Sequence, residues 1–275
     1  MREITQKLSR TDSDEFGELR FHEHASRVFK NTRQLRVWLP PGYSSPENEG
    51  RRYPVFYLND GQNIFQPETS FAGVDWHVGE TLSRLIQESV IPPVIAVGID
   101  NATVERIREF LPYKSIYPPV PKPLGKHYPE FLIDEVMPFI SRTYRVARGM
   151  KNTGLGGSSL GALISLHTVI ARPGIFGRLL LESPSLFVSN KQLLKDSRAA
   201  ATWPQRIFIG VGTRESGKPD RDQRIVDDVR ALAHTLHLAG LREKRLRLWV
   251  QEGATHCEAA WAERFAEAAA FLFSE

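Results

Sequence analysis

The sequence predicts an α/β fold on a mainly parallel, doubly wound sheet. Two observations carry that reading: short continuous apolar runs closed off by Pro or Gly, and helix-spaced apolar positions in the segments between them. Strands alternating with helices make βαβ units. Residues 35–39 alternate apolar with polar and stop at Pro40-Pro41-Gly42. Val55-Phe56-Tyr57-Leu58 is apolar throughout, as a strand buried on both faces is. Val78, Leu82, Leu85 and Ile86 share one helical face, which Pro92-Pro93 terminates, and residues 94–99 form the next buried strand. Residues 101–126 break this rhythm, because the prolines between Tyr117 and Pro123 admit neither helix nor central strand.

Helical spacing resumes at Leu132, Val136, Phe139 and Ile140. A short strand over 153–156 leads into a glycine-rich turn and a helix carrying Leu163, Leu166, His167 and Ile170. Strands follow at 179–181, 207–211 and 246–250. Between the last two, Ile225, Val229, Leu232 and Leu236 mark a helix over 222–239 that Gly240 closes. Trp261, Phe265, Ala268 and Leu272 mark a final helix. No composition shift or internal repeat divides the 275 residues, so one domain spanning 1–275 is expected, with N-terminal strands or an extension over 1–30 and no separate cap domain.

Composition narrows the function classes. With 41% hydrophobic and 25% charged residues, chain-wide disorder is excluded. No apolar run approaches the roughly 18 to 20 residues of a membrane helix, and no apolar h-region follows the first seven residues, so neither a membrane partner nor a secretory leader is expected. The single cysteine, Cys257, forms no intrachain disulfide and suits the cytoplasm. The net charge of +4 is spread along the chain; its densest stretch, 242–247, reads as a solvated loop or strand edge. Without zinc-finger spacing, an RNA-binding aromatic motif or a basic helix, a nucleic-acid partner is not expected either.

Gly157-Ser158-Ser159-Leu160-Gly161 matches G-x-S-x-G, the sharp strand-to-helix turn that exposes a nucleophilic serine. Only Ser159 has glycines two residues away on both sides; Ser158 does not. No P-loop lysine follows, which weakens a phosphate-binding reading. A serine nucleophile needs a base and an acid to orient it, here in the chain order Ser, acid, His. His234 and His237 fall inside a helix, whereas His256 lies in a loop between the last strand and the last helix. Glu215, four residues past the strand at 207–211, is the first candidate acid, with Asp222 and then Asp220 behind it in the same loop. An oxyanion needs two N–H donors. Leu160 supplies one, and Gly61 or Gln62, in the loop after the strand at 55–58, supplies the other.

The chain resembles the Putative esterase family of α/β-hydrolases, which includes enterochelin esterases, S-formylglutathione hydrolases, feruloyl and acetylxylan esterases and mycobacterial mycolyltransferases. The blocks 33–43, 53–63, 93–99, 157–161 and 253–256 carry the likeness in the right order, and the enterochelin-esterase-like branch looks most similar. The resemblance implies Ser159 as nucleophile, His256 as general base, Glu215 as acid, and Gly61 and Gln62 at the oxyanion loop. In the family a second Gly commonly follows the elbow; here it is Ala162.

The expected activity is carboxylic ester hydrolysis through an acyl-enzyme, with a small-molecule ester as substrate and no cofactor. An acyltransferase with the same triad, or a non-catalytic binding member of the fold, is the alternative. His22-Glu23-His24 sets two imidazoles on one strand face without a third ligand, so no metal is expected. The 101–126 loop is expected to border the active site, and its Lys, Arg and Tyr residues suit an anionic, aromatic or siderophore-type acyl group. Arg106 on that loop, together with Asp60 and Trp76, are the candidate substrate contacts. Oligomeric state is not encoded in any feature of the sequence.

Overall fold

The computed structural model describes residues 3–4 and 16–274. One nine-stranded sheet runs through them, with spatial order β1-β2-β3-β5-β4-β6-β7-β8-β9. The strands are β1 (Glu3–Ile4), β2 (Glu18–Ala25), β3 (Thr32–Leu39), β4 (Val55–Asn59), β5 (Ile95–Ile99), β6 (Thr153–Ser158), β7 (Arg178–Glu182), β8 (Arg206–Arg214) and β9 (Leu246–Thr255). From β5 across to β9 every pairing is parallel, while β1, β2 and β3 join antiparallel at the other edge. The sheet is therefore mixed, and the parallel part carries the continuous apolar runs seen in the sequence.

Alternation along those runs divides the core into two layers. Val55 and Tyr57 of β4 face one cluster, and Phe56 and Leu58 face the other. The first layer is closed by α4 (Leu160–Ala171) and α6 (Pro219–Leu238), the second by α1 (Val78–Gln87) and α7 (Glu258–Phe273). Helix α4 is buried almost all round, which is why apolar residues occupy every face of it, with Ser165, His167 and Thr168 buried among them. Leu163 and Ile164 are at most 2% exposed, and truncating either to Ala costs about 2–5 kcal/mol.

Several boundaries differ from the sequence reading. The 101–126 segment is not wholly irregular: it holds α2 (Arg106–Phe110) and a short turn at Gly125–His127. The following helical run passes through a π-helical stretch, Phe131–Val136, before α3 (Met137–Thr143). The sequence reading contained no counterpart of α5 (Gln192–Ala199), a polar helix with few buried positions. Helix α6 begins at Pro219, whose missing N–H suits a first helical turn, so Asp220 and Asp222 are helical rather than in a loop. Strand β9 runs on to Thr255, leaving only His256 and Cys257 between it and α7.

The parallel strands all end on one side. Asn59, Ser158, Glu182, Arg214 and Thr255 are the last residues of β4, β6, β7, β8 and β9. Each candidate catalytic residue is thus the first or second residue beyond a strand, in the crevice where open α/β sheets bind ligands.

Candidate active site

Ser159 sits between β6 and α4 with φ 56° and ψ −119°, a region that disfavours any residue with a Cβ. Three backbone bonds hold it there. Its N–H donates to Glu182 O at 2.8 Å, and its carbonyl accepts from Leu163 N at 3.1 Å and Ser185 N at 3.2 Å. The flanking glycines answer to crowding, since a Cβ on Gly157 would lie 3.0 Å from Gly161 C, and one on Gly161 would lie 3.0 Å from Asp60 Oδ2. Ser158 is the last strand residue and is buried. Of the two serines, Ser159 alone occupies the strained turn.

His256 Nδ1 is 2.5 Å from Glu215 Oε2. An ionised carboxylate only accepts, so Nδ1 carries the proton and Nε2 is left as the basic nitrogen. The imidazole is one-third exposed, and its ring stands edge-on to Trp261 at 5.1 Å. Glu215 has no exposed side-chain surface; its Oε1 accepts the Gly212 N–H at 2.6 Å and the Ser183 hydroxyl at 2.7 Å. Burial raises its carboxyl, but the His256 hydrogen bond and charge, with the Gly212 and Ser183 bonds, outweigh burial and hold it below the ordinary value. A register irregularity between β8 and β9 at Gly212 and Arg214 turns the chain just before Glu215, as bulges do when they re-aim a side chain. Asp222, the second candidate acid, is engaged elsewhere, accepting the N–H and hydroxyl of Ser216.

Ser159 Oγ lies 3.2 Å from Ser185 Oγ, and among the described residues it makes no hydrogen bond to His256. Catalytic hydrogen bonds are often loose until substrate is bound. Leu160 is the first residue of α4, where backbone N–H groups have no partner within the helix. Gly61 and Gln62 open a single helical turn, Gly61–Asn63, packed so closely on β5 that a Cβ on Gly61 would lie 2.5 Å from Gly98 C. Sequence reasoning missed Asn59, which ties this loop to the elbow helix. Its fully buried amide donates to Gly161 O at 3.1 Å and Ser165 Oγ at 2.8 Å, and it accepts the Tyr128 hydroxyl.

The three candidate substrate contacts are already engaged within the protein. Asp60 is 3% exposed, and Arg106 grips it through two bonds of 2.6 and 2.7 Å, with Asn101 Nδ2 at 2.7 Å. The Arg106 charge is therefore largely spent inside the protein. Trp76 is 1% exposed, packed on Trp261 and Phe265 beneath the site. Buried Glu258, at the start of α7, accepts from Asn63 Nδ2 at 3.2 Å, and burial raises its carboxyl above the usual range.

For a metal, His22 and His24 turn to different partners: His22 meets the Tyr144 hydroxyl, and His24 lies 3.9 Å from Glu135. Among the described residues, Asp75, His77 and Glu80 bring three ligand-type atoms within 4.8 Å of one another. Asp75 there already accepts the His77 N–H at 3.0 Å, and the group lies at the N-terminus of α1, whose dipole disfavours a cation.

A strained serine between strand and helix, followed in the chain by an acid and then a histidine at later strand ends, defines an α/β-hydrolase. Residues 26–272 match the family model described as Putative esterase, and the chain belongs to that family, an enzyme of the carboxylic ester hydrolase class. It is 24% identical over 248 residues to the uncharacterized protein YbbA of Bacillus subtilis (strain 168), covering 88% of this chain and 93% of that one. Ferri-bacillibactin esterase BesA of the same organism is 26% identical over 215 residues, covering 71% and 70%. Among solved structures, the enterobactin esterase FES from Shigella flexneri superposes with a TM-score of 0.71 at 21% identity, across 92% of this chain and 58% of that one. No helix among the described residues is long and apolar enough to cross a membrane.

Proposed function

We propose that the protein hydrolyses carboxylic esters through Ser159, His256 and Glu215 by way of an acyl-enzyme, in a cytoplasmic setting that its single cysteine suits. The observation carrying this reading is the 2.5 Å His256–Glu215 contact, which leaves Nε2 as the basic nitrogen at the same end of the parallel strands as the strained Ser159 turn. In the first half-reaction the Ser159 hydroxyl leaves Ser185 and turns to His256. Nε2 takes its proton as the Oγ–carbon bond forms, and the N–H groups of Leu160 and of Gly61 or Gln62 receive the oxyanion. The ester C–O bond then breaks and the alcohol leaves with the proton from Nε2. Water repeats the sequence and frees the acid.

The substrate is an ester of siderophore or other aromatic type. Support comes from relatives named ferri-bacillibactin and enterobactin esterases, and from Tyr117 and Ile116, which are 70% and 95% exposed on the loop after α2. Hydrolysis of short p-nitrophenyl esters, then of catecholate trilactones and feruloyl esters, tests both parts. Ser159→Ala lowers kcat by several orders of magnitude, as loss of a nucleophile does, and Ser158→Ala does not. Equal activity in all three proteins refutes the assignment.

A further inference from the structure

We propose that Ser183, the residue after β7, is a positioning residue that aims Glu215 at His256 through a hydroxyl whose proton has one place to go. The inference rests on the catalytic reading above and adds a member to it. Three groups converge on Ser183 Oγ. Trp261 Nε1 approaches at 2.9 Å and Arg264 Nη2 at 3.4 Å, while Glu215 Oε1 is at 2.7 Å. Indole and guanidinium only donate, so they occupy the hydroxyl's lone pairs, and its single proton is directed to the carboxylate. Glu215 Oε1 is thereby saturated by Ser183 and Gly212, leaving Oε2 for His256.

The surroundings make this arrangement rigid. Ser183 is 1% exposed, and its N–H is tied to Gly210 O at 2.8 Å. Its φ of 44° is rare for a residue with a side chain, a conformation kept only where the surroundings impose it. Arg264 is itself pinned by Glu182, with Nε and Nη2 at 2.8 and 2.7 Å from Oε2, and neither residue has exposed surface. The same segment reaches the nucleophile, since Glu182 O accepts the Ser159 N–H and Ser185 N–H meets Ser159 O. Residues 182–185 therefore touch both ends of the proposed relay.

Glu215 faces His256 at the end of β9 and Glu182 on β7; Glu258 on α7 faces His256, and Arg264 on α7 reaches Glu182 and Ser183. Burial pushes Glu182 up to about 7 in spite of Arg264. A hydroxyl donated to Glu215 stabilises its negative charge. Without it the Glu215–His256 pair binds its proton more tightly, so the acid limb of the rate profile moves to higher pH.

The test compares wild type with Ser183→Ala and Ser183→Gly, because the glycine also relieves the positive φ. Both variants are expected to move the acid limb of kcat/KM up by roughly half to one pH unit, with lower kcat and KM within about twofold. NMR titration of the His256 imidazole should move the same way. If the variants fold poorly, Trp261→Phe, which keeps an aromatic ring against His256 but removes the donor, gives a smaller shift in the same direction. A uniform loss of rate, with the acid limb and the imidazole titration unmoved, overturns the role. Failure of the hydrolase reading shows separately, as an inactive wild type or an active Ser159→Ala, while the imidazole titration still reports on Ser183.

Discussion

Glu215 and Arg264 have no exposed side-chain surface and Trp261, packed against His256, is 5% exposed, whereas on the 101–126 segment Val104, Ile116 and Tyr117 are 88%, 95% and 70% exposed. The first region is built from strand ends and one helix face, cross-linked by hydrogen bonds from four elements. The second is a proline-rich segment anchored at its start by Asn101 and Arg106 on Asp60, and further on by the Tyr113 hydroxyl on Asp196 and Ser189 on the Tyr113 carbonyl. On the proposed reading, the difference separates two tasks. Geometry that must hold within fractions of an ångström is placed on the sheet, and surface that must meet a variable substrate is placed on a loop.

The comparison can be broken from the buried side first. Glu215→Gln keeps the shape but removes the charge that orients His256, so kcat should fall by roughly 10²- to 10⁴-fold with little change in KM. A KM effect of that size would move Glu215 from the acid's role to the pocket's. Arg264→Met leaves fully buried Glu182 without its partner, so its carboxyl is pushed further up and must take a proton or stay unpaired, a change that costs up to about 3–5 kcal/mol. Urea denaturation should show that loss, and adding Glu182→Gln should recover much of it; additive losses would mean that the two residues act independently. On the exposed loop, Ile116→Ser and Tyr117→Ser should leave stability within about 0.5 kcal/mol. Their effect belongs in KM, and it should be larger for aromatic than for short aliphatic acyl groups.

The same contrast explains what the sequence disclosed. The apolar runs at 55–58, 94–99 and 207–211 and the Gly157–Gly161 turn were legible because each is a local pattern imposed by a local constraint. Ser159, Glu215 and His256 were nameable because chain order and distance from strand ends constrain them. Ser183, Asn59 and Arg264 were not: their residue types are ordinary, and their partners lie 32, 102 and 82 positions away. Asp220 and Asp222 looked like loop acids because the apolar spacing of α6 starts only at Ile225, after a polar first turn. Arg106 and Asp60 were read as separate substrate contacts because nothing local reveals that Asp60, 46 positions earlier, takes two bonds from Arg106.

The central claim is that Ser159 is the nucleophile, driven by His256. Labelling with a fluorophosphonate, followed by peptide mass spectrometry of wild type, His256→Ala and Ser158→Ala, tests it most directly. The account predicts modification of Ser159 in wild type and in Ser158→Ala, and a rate at least about 10³-fold slower in His256→Ala. Label on Ser158 or Ser185, or no label on an enzyme that still hydrolyses esters, would contradict it.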